Sequence, residues 1–133
     1  MGQDLLVNER FDAGEEFIRE FDEQFPVSVA CWINPADSDD LFLYVASDQI
    51  SDANIGVAYG EVLRCLNNKR NAWLDPFQVK LVNSSDPIAT DAIEIRNRYT
   101  APISTHFNGT SIGGISIDGA YIYAPVSAIK STS

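Results

Sequence analysis

Apolar side chains recur with a period of two along two seven-residue runs, Val27-Ser-Val-Ala-Cys-Trp-Ile33 and Leu41-Phe-Leu-Tyr-Val-Ala-Ser47. Both runs are rich in β-branched and aromatic residues, and the polar stretch Asn34-Pro-Ala-Asp-Ser-Asp-Asp40 separates them. The pattern predicts two antiparallel strands joined by a long hairpin loop. In the first run Val27, Val29, Cys31 and Ile33 share one face, and Ser28, Ala30 and Trp32 the other. In the second, Leu41, Leu43 and Val45 oppose Phe42, Tyr44 and Ala46. Both faces are apolar enough to place the hairpin mid-sheet, at least partly covered on both sides.

Around the hairpin the period changes. Val7, Phe11, Gly14, Ile18, Phe21 and Phe25 are spaced by four and three, the stripe of an amphipathic helix. Asn8 can cap it, or it starts near Phe11 with the capping-box pair Asp12 and Glu15, and Pro26 closes it. Gly14 on the buried stripe points to close approach to the sheet. Ile55, Tyr59, Val62, Leu63 and Leu66 give a second helix, capped by Ser51 or Asp52. Its end, Asn67-Asn-Lys-Arg-Asn71, is basic, and the helix dipole accounts for Lys69 and Arg70 better than a phosphate site does.

Trp73-Leu-Asp-Pro76 reads as a turn, and Phe77, Val79 and Leu81 as the buried side of a third strand running to Asn83. Ser84-Ser-Asp-Pro87 announces a third helix, with Ile88, Ala92, Ile95 and Tyr99 on one face. From Ile103 the alternation is β again, with turns predicted at Asn108-Gly109 and Asp118-Gly119 and a turn or bulge at Gly113-Gly114. The order is α-β-β-α-β-α-β-β(-β). It predicts an α+β fold, one mostly antiparallel or mixed sheet of five to six strands with three helices packed mainly on one face. Residues 1–125 read as a single domain and 126–133 as a flexible tail.

Composition adds one strong feature. The 133 residues have the apolar and charged fractions of an ordinary globular protein, but a net charge of −10. Residues 1–52 hold thirteen acids against Arg10 and Arg19, whereas residues 53–133 hold six acids against seven bases. The acidic part argues against direct nucleic-acid binding, since phosphate contact needs Lys and Arg, and it suits a basic protein partner. No run approaches the ~18 apolar residues of a membrane helix. Met1-Gly-Gln-Asp4 lacks the basic start of a secretory signal, and two unpaired-looking cysteines fit a reducing compartment, so a cytoplasmic protein is expected.

Candidate chemistry is sparse. His106 is the one histidine, in a strand and outside any nucleophile motif; an enzyme would have to pair it with Cys31, Cys65 or a carboxylate. Two cysteines and one histidine lack zinc spacing. Asp37, Asp39 and Asp40 could offer oxygens to Ca²⁺ but lack the Asp-x-Asp-x-Asp-Gly pattern, so no metal or other cofactor is expected.

Phe25-Pro-Val27, Ala30-Cys-Trp32, Leu43-Tyr-Val-Ala-Ser47, Ser85-Asp-Pro87 and Ile117-Asp-Gly-Ala-Tyr-Ile-Tyr123 together resemble a group of short, poorly characterised bacterial α+β proteins. The resemblance implies a single domain and brings no activity, cofactor or catalytic residue. The functional expectation is a non-enzymatic interaction module of accessory, inhibitor or immunity type. Its partner-binding residues would be Glu16, Glu20, Glu23, Asp37, Asp39 and Asp40, facing a basic surface. The alternatives are a homo-oligomeric subunit paired through sheet edges, at the Ile115–Tyr123 hairpin, and a small enzyme built on His106.

Overall fold

The computed structural model describes residues 2–36, 40–69, 74–98, 105–107 and 111–126, of which 2–8, 68–69 and 105–107 as backbone alone. The expectations at Asp37, Asp39, Arg70, Tyr99, Asn108-Gly109 and the tail beyond Val126 lie outside those residues. Three helices and six strands follow in the predicted order: α1 (Gly2–Phe21), β1 (Val29–Pro35), β2 (Phe42–Ser47), α2 (Ile55–Lys69), β3 (Val79–Asn83), α3 (Pro87–Asn97), β4 (Thr105–Phe107), β5 (Ser111–Ile112) and β6 (Ile115–Ile122).

The sheet is mixed, in the order β3-β2-β1-β6-β4, with β5 paired to β6. β1 and β2 form the predicted hairpin, with Cys31 opposite Tyr44 and Trp32 opposite Leu43. β3 lies parallel to β2, Val45 opposite Leu81, because the chain returns to the same end through α2. The period of two then sorts the side chains into two cores. Ala30, Trp32, Leu43, Val45, Val79 and Tyr123 meet Phe17, Ile18 and Phe21 of α1 and Ala58, Val62 and Cys65 of α2. On the opposite face Val29, Cys31, Ile33 and Ile122 meet Ile88, Ala92 and Ile95 of α3. Two of the three helices therefore cover one face and the third covers the other.

Gly14 brings α1 onto the sheet, for a Cβ there would strike the Tyr123 hydroxyl and come within 3.0 Å of Trp32 Nε1. Asp86 and Pro87 start α3 as the sequence predicts, the Asp86 carboxylate accepting from Ile88 N–H at 2.9 Å.

Four expectations need correction. The first helix begins at Gly2, ahead of Asn8 and Phe11, since neither glycine nor proline interrupts residues 3–13. Phe77 is not a strand residue. Asp75 accepts from Phe77 N–H at 2.8 Å while the Gln78 side chain takes Asp75 N–H at 2.9 Å. This capping box makes Pro76–Gln78 a short 3-10 turn and leaves Phe77 88% exposed. Asp118-Gly119 does not turn but stays within β6, where the register slips between Asn34–Gly119 and Pro35–Ile117. Pro35 has no N–H for the ladder, so the extra residue is taken up as a bulge. Finally, β6 is no edge: β1 pairs it on one side and β4 and β5 on the other.

Candidate functional site

The stripe that α1 buries (Ala13, Phe17, Ile18 and Phe21) fixes what it shows to solvent. Glu9, Asp12 and Glu16 are exposed in an i, i+3, i+7 row, and Glu23 is exposed in the turn beyond the helix. Asp12, Glu15, Glu16 and Arg19 line a shallow depression of about 190 Å³. Asp40 is exposed at the foot of β2.

Glu20 turns the other way. Its position flanks the buried stripe, so the side chain lies at the seam between α1 and α2, 4.0 Å from Arg64. Arg64 in turn donates through Nε to Glu61 at 2.9 Å and through Nη2 to the other carboxylate oxygen. That two-pronged pairing holds the Glu61 carboxyl below its ordinary range. Asp22 is also committed, accepting Val27 N–H at 2.7 Å where the chain leaves the helix for the sheet.

Arg19 shares the depression with Asp12, Glu15 and Glu16, whereas three cations of the later chain are engaged elsewhere. Arg96 Nη1 donates to the Ser28 carbonyl at 3.0 Å, Arg98 lies 3.7 Å from Glu94, and Lys80 sits 5.1 Å from the centre of the Phe42 ring. Burial lowers the Arg96 pKa, but no acid of α1 draws it away.

Cys31 and Cys65 are unlinked thiols, both buried, in cores on opposite faces of the sheet. Burial pushes each up to about 12, helped at Cys65 by the carboxylates of Glu20 and Glu61. A thiol so held stays protonated at neutral pH and is a poor nucleophile. His106 pairs through its backbone with Tyr121. No group of three or more His, Cys, Asp or Glu stands ready to hold a metal among the described residues. No helix among them is long and apolar enough to cross a membrane.

Two further surfaces were not evident in the sequence. Beyond the C-terminal ends of the parallel pair β2 and β3, the chain leaves to α2 on one face and α3 on the other. This switch point opens a crevice of about 270 Å³ lined by Ser51, Asp52, Asn83 and Asp86. Its polar groups hold the loops themselves: Asn83 accepts from Ser85 N–H at 2.9 Å and donates to Ile50 O at 2.8 Å, and Asp86 caps α3. Asp52 and Asp86 oppose the anions that two helix N-termini would otherwise attract.

The second surface is apolar. Between α2 and the Pro76–Gln78 turn lies a groove of about 380 Å³ lined by Tyr59, Val62, Leu63, Phe77, Val79 and Lys80. The period of two through Phe77, Val79 and Leu81 masks it in the sequence, although Asp75-Pro76 followed by Gln78 is a legible capping signal. Comparison with known protein families, with curated proteins and with solved structures finds no match for the chain.

Proposed function

We propose that the protein is a small non-catalytic interaction module that presents the acidic side of α1 to a basic protein surface. The observation that carries this reading is the row Glu9, Asp12 and Glu16, exposed along the side of the helix opposite its buried stripe. Support comes also from Lys80, Arg96 and Arg98, whose contacts lie with Phe42, Ser28 and Glu94. Glu23 and Asp40, both exposed, add to the negative charge, as do by sequence Asp37 and Asp39 of the first β-loop. Glu20, turned toward Arg64, contributes less. Such a field steers encounter and sets the association rate more than the final affinity. Two buried thiols suit a reducing, cytoplasmic setting.

The test begins by cross-linking the tagged chain in its native cell and purifying the basic protein it captures. That partner is then titrated with wild type and with a Glu9→Lys, Asp12→Lys, Glu16→Lys variant, at about 50 and about 300 mM salt. The variant should bind at least tenfold more weakly at low salt, through a slower on-rate, with the gap narrowing at high salt. Equal affinity under both conditions would overturn the proposal.

A further inference from the structure

Strand β3 ends the sheet, with β2 on one side and no described strand on the other. The N–H groups of Val79 and Leu81 point away from β2, Val79 donating to Pro76 O and Leu81 to Tyr59 Oη at 3.1 Å. The N–H and C=O of a strand residue point to the same side, so the Val79 and Leu81 carbonyls line this outer edge too. Beside the edge runs the groove of about 380 Å³, walled by Tyr59, Val62 and Leu63 of α2 and by Phe77. Leu63 is 49% exposed and Phe77 88%.

Charge here has the opposite sign to the rest of the chain. Residues 55–83 carry Arg64, Lys69, Arg70 and Lys80 against Glu61 and Asp75, whereas the other residues hold seventeen acids against five bases. Glu61 is tied to Arg64, and the Asp75 carboxylate accepts from Phe77 N–H. Lys80 is exposed on β3 beside the groove, and Lys69 stands by helical register two turns beyond Val62.

We propose that β3 takes up an extended acidic segment of a partner protein as an added strand, with Tyr59 as the latch that closes the edge until then. Two complementarities choose this occupant. The outer edge offers main-chain donors and acceptors in alternation, which an incoming strand matches and an apolar helix does not. The side chains of such a strand alternate between the two faces of the sheet. On the face of Val79 and Leu81 they meet Val62, Leu63 and Phe77, which favour apolar residues. On the other face they stand beside Lys80, across from which Asp or Glu is favoured.

Entry of the strand exchanges the Tyr59 Oη acceptor at Leu81 N–H for a main-chain carbonyl of the partner. The site lies off the acidic row of α1, so the inference goes beyond the basic-partner reading and does not rest on it.

The test selects a random displayed library of peptides of about ten residues on the immobilised full chain. Selection should enrich apolar residues at every second position, with Asp or Glu between them. The most enriched peptide is then synthesised and titrated. Methylating its amide nitrogens one at a time should weaken binding about tenfold at every second position and little in between. Tyr59→Phe, which removes the latch and keeps the ring, should tighten binding about threefold or more. Leu63→Glu should weaken it about tenfold. Lys80→Glu should weaken it too, and more at low salt than at high. Both replace exposed side chains, so thermal melting should stay that of wild type. The inference is overturned by a library without an enriched peptide, or by a consensus with apolar residues three and four apart. A methylation profile without alternation overturns it as well, as does a Tyr59→Phe variant that binds more weakly.

Discussion

The hydroxyl of Tyr123 accepts the indole N–H of Trp32 at 2.9 Å and donates to the Phe11 carbonyl, tying α1 to the sheet's centre where Gly14 lets it approach. A buried polar pair so satisfied specifies one packing of helix on sheet, since any other leaves the indole N–H without an acceptor. Cys31, in the opposite core, shows the cost of the reverse case, a buried acid that cannot ionise. Its folded pKa of about 12 lies above the unfolded value near 9.0, so the native state binds the proton more tightly. The stability this contributes is complete below about pH 9 and is lost as pH rises toward 12. Urea midpoints measured between pH 8 and 11 should therefore fall more steeply for wild type than for Cys31→Ala. Parallel slopes would mean that the thiol is reached by water.

At the scale of elements, the β5–β6 hairpin depends on its two-glycine turn. Gly113 and Gly114 have φ of +58° and +83°, the left-handed pair that a tight hairpin demands. The two glycines differ in their surroundings. A Cβ on Gly113 would lie 2.6 Å from the Ile88 backbone N, whereas one on Gly114 would meet nothing within 4 Å. Asp91 fixes the same spot from α3, accepting Gly113 N–H at 2.6 Å. Gly114→Ala should thus cost about 1 kcal/mol, the backbone strain alone. Gly113→Ala should cost clearly more, because α3 or the turn must also shift, and thermal denaturation of the two variants compares them directly.

This turn was legible as a Gly-Gly pair, as were the β1–β2 hairpin, Asp86-Pro87 at the start of α3 and the close approach at Gly14. The turn, the hairpin and the helix start are decided by neighbours in sequence, and Gly14 was legible from its place on the apolar stripe. The bulge opposite Pro35, the pairing of β6 on both sides and the division of helices between faces were not legible, because they depend on which strands meet. The same limit applies to the site. Sequence spacing marks Glu16 and Glu23 as outward but cannot show that Glu20 faces Arg64. It also cannot show that Asn83 and Asp86 hold the crevice loops together.

The molecule as a whole gathers exposed acid along α1, and that concentration has an energetic consequence for the helix. Glu9–Asp12, Asp12–Glu15, Asp12–Glu16 and Glu16–Glu20 are like-charged pairs three or four residues apart. Each such pair destabilises a helix by roughly 0.2–0.5 kcal/mol at low salt. Arg19 beside Glu15 and Glu16 offsets part of this, and the helix is held by its buried stripe instead. Asp12→Asn with Glu16→Gln removes all four repulsions without touching a core residue. If the row serves recognition, the double variant should be more stable than wild type by about 0.5–1 kcal/mol at low salt, the gain fading as salt rises. It should also lose affinity for the basic partner, which a stability gain alone would not cause. Function kept at the expense of stability is the signature of a binding surface. A double variant that is more stable, binds as wild type does and precipitates more readily would instead make the acidic row a solubility device.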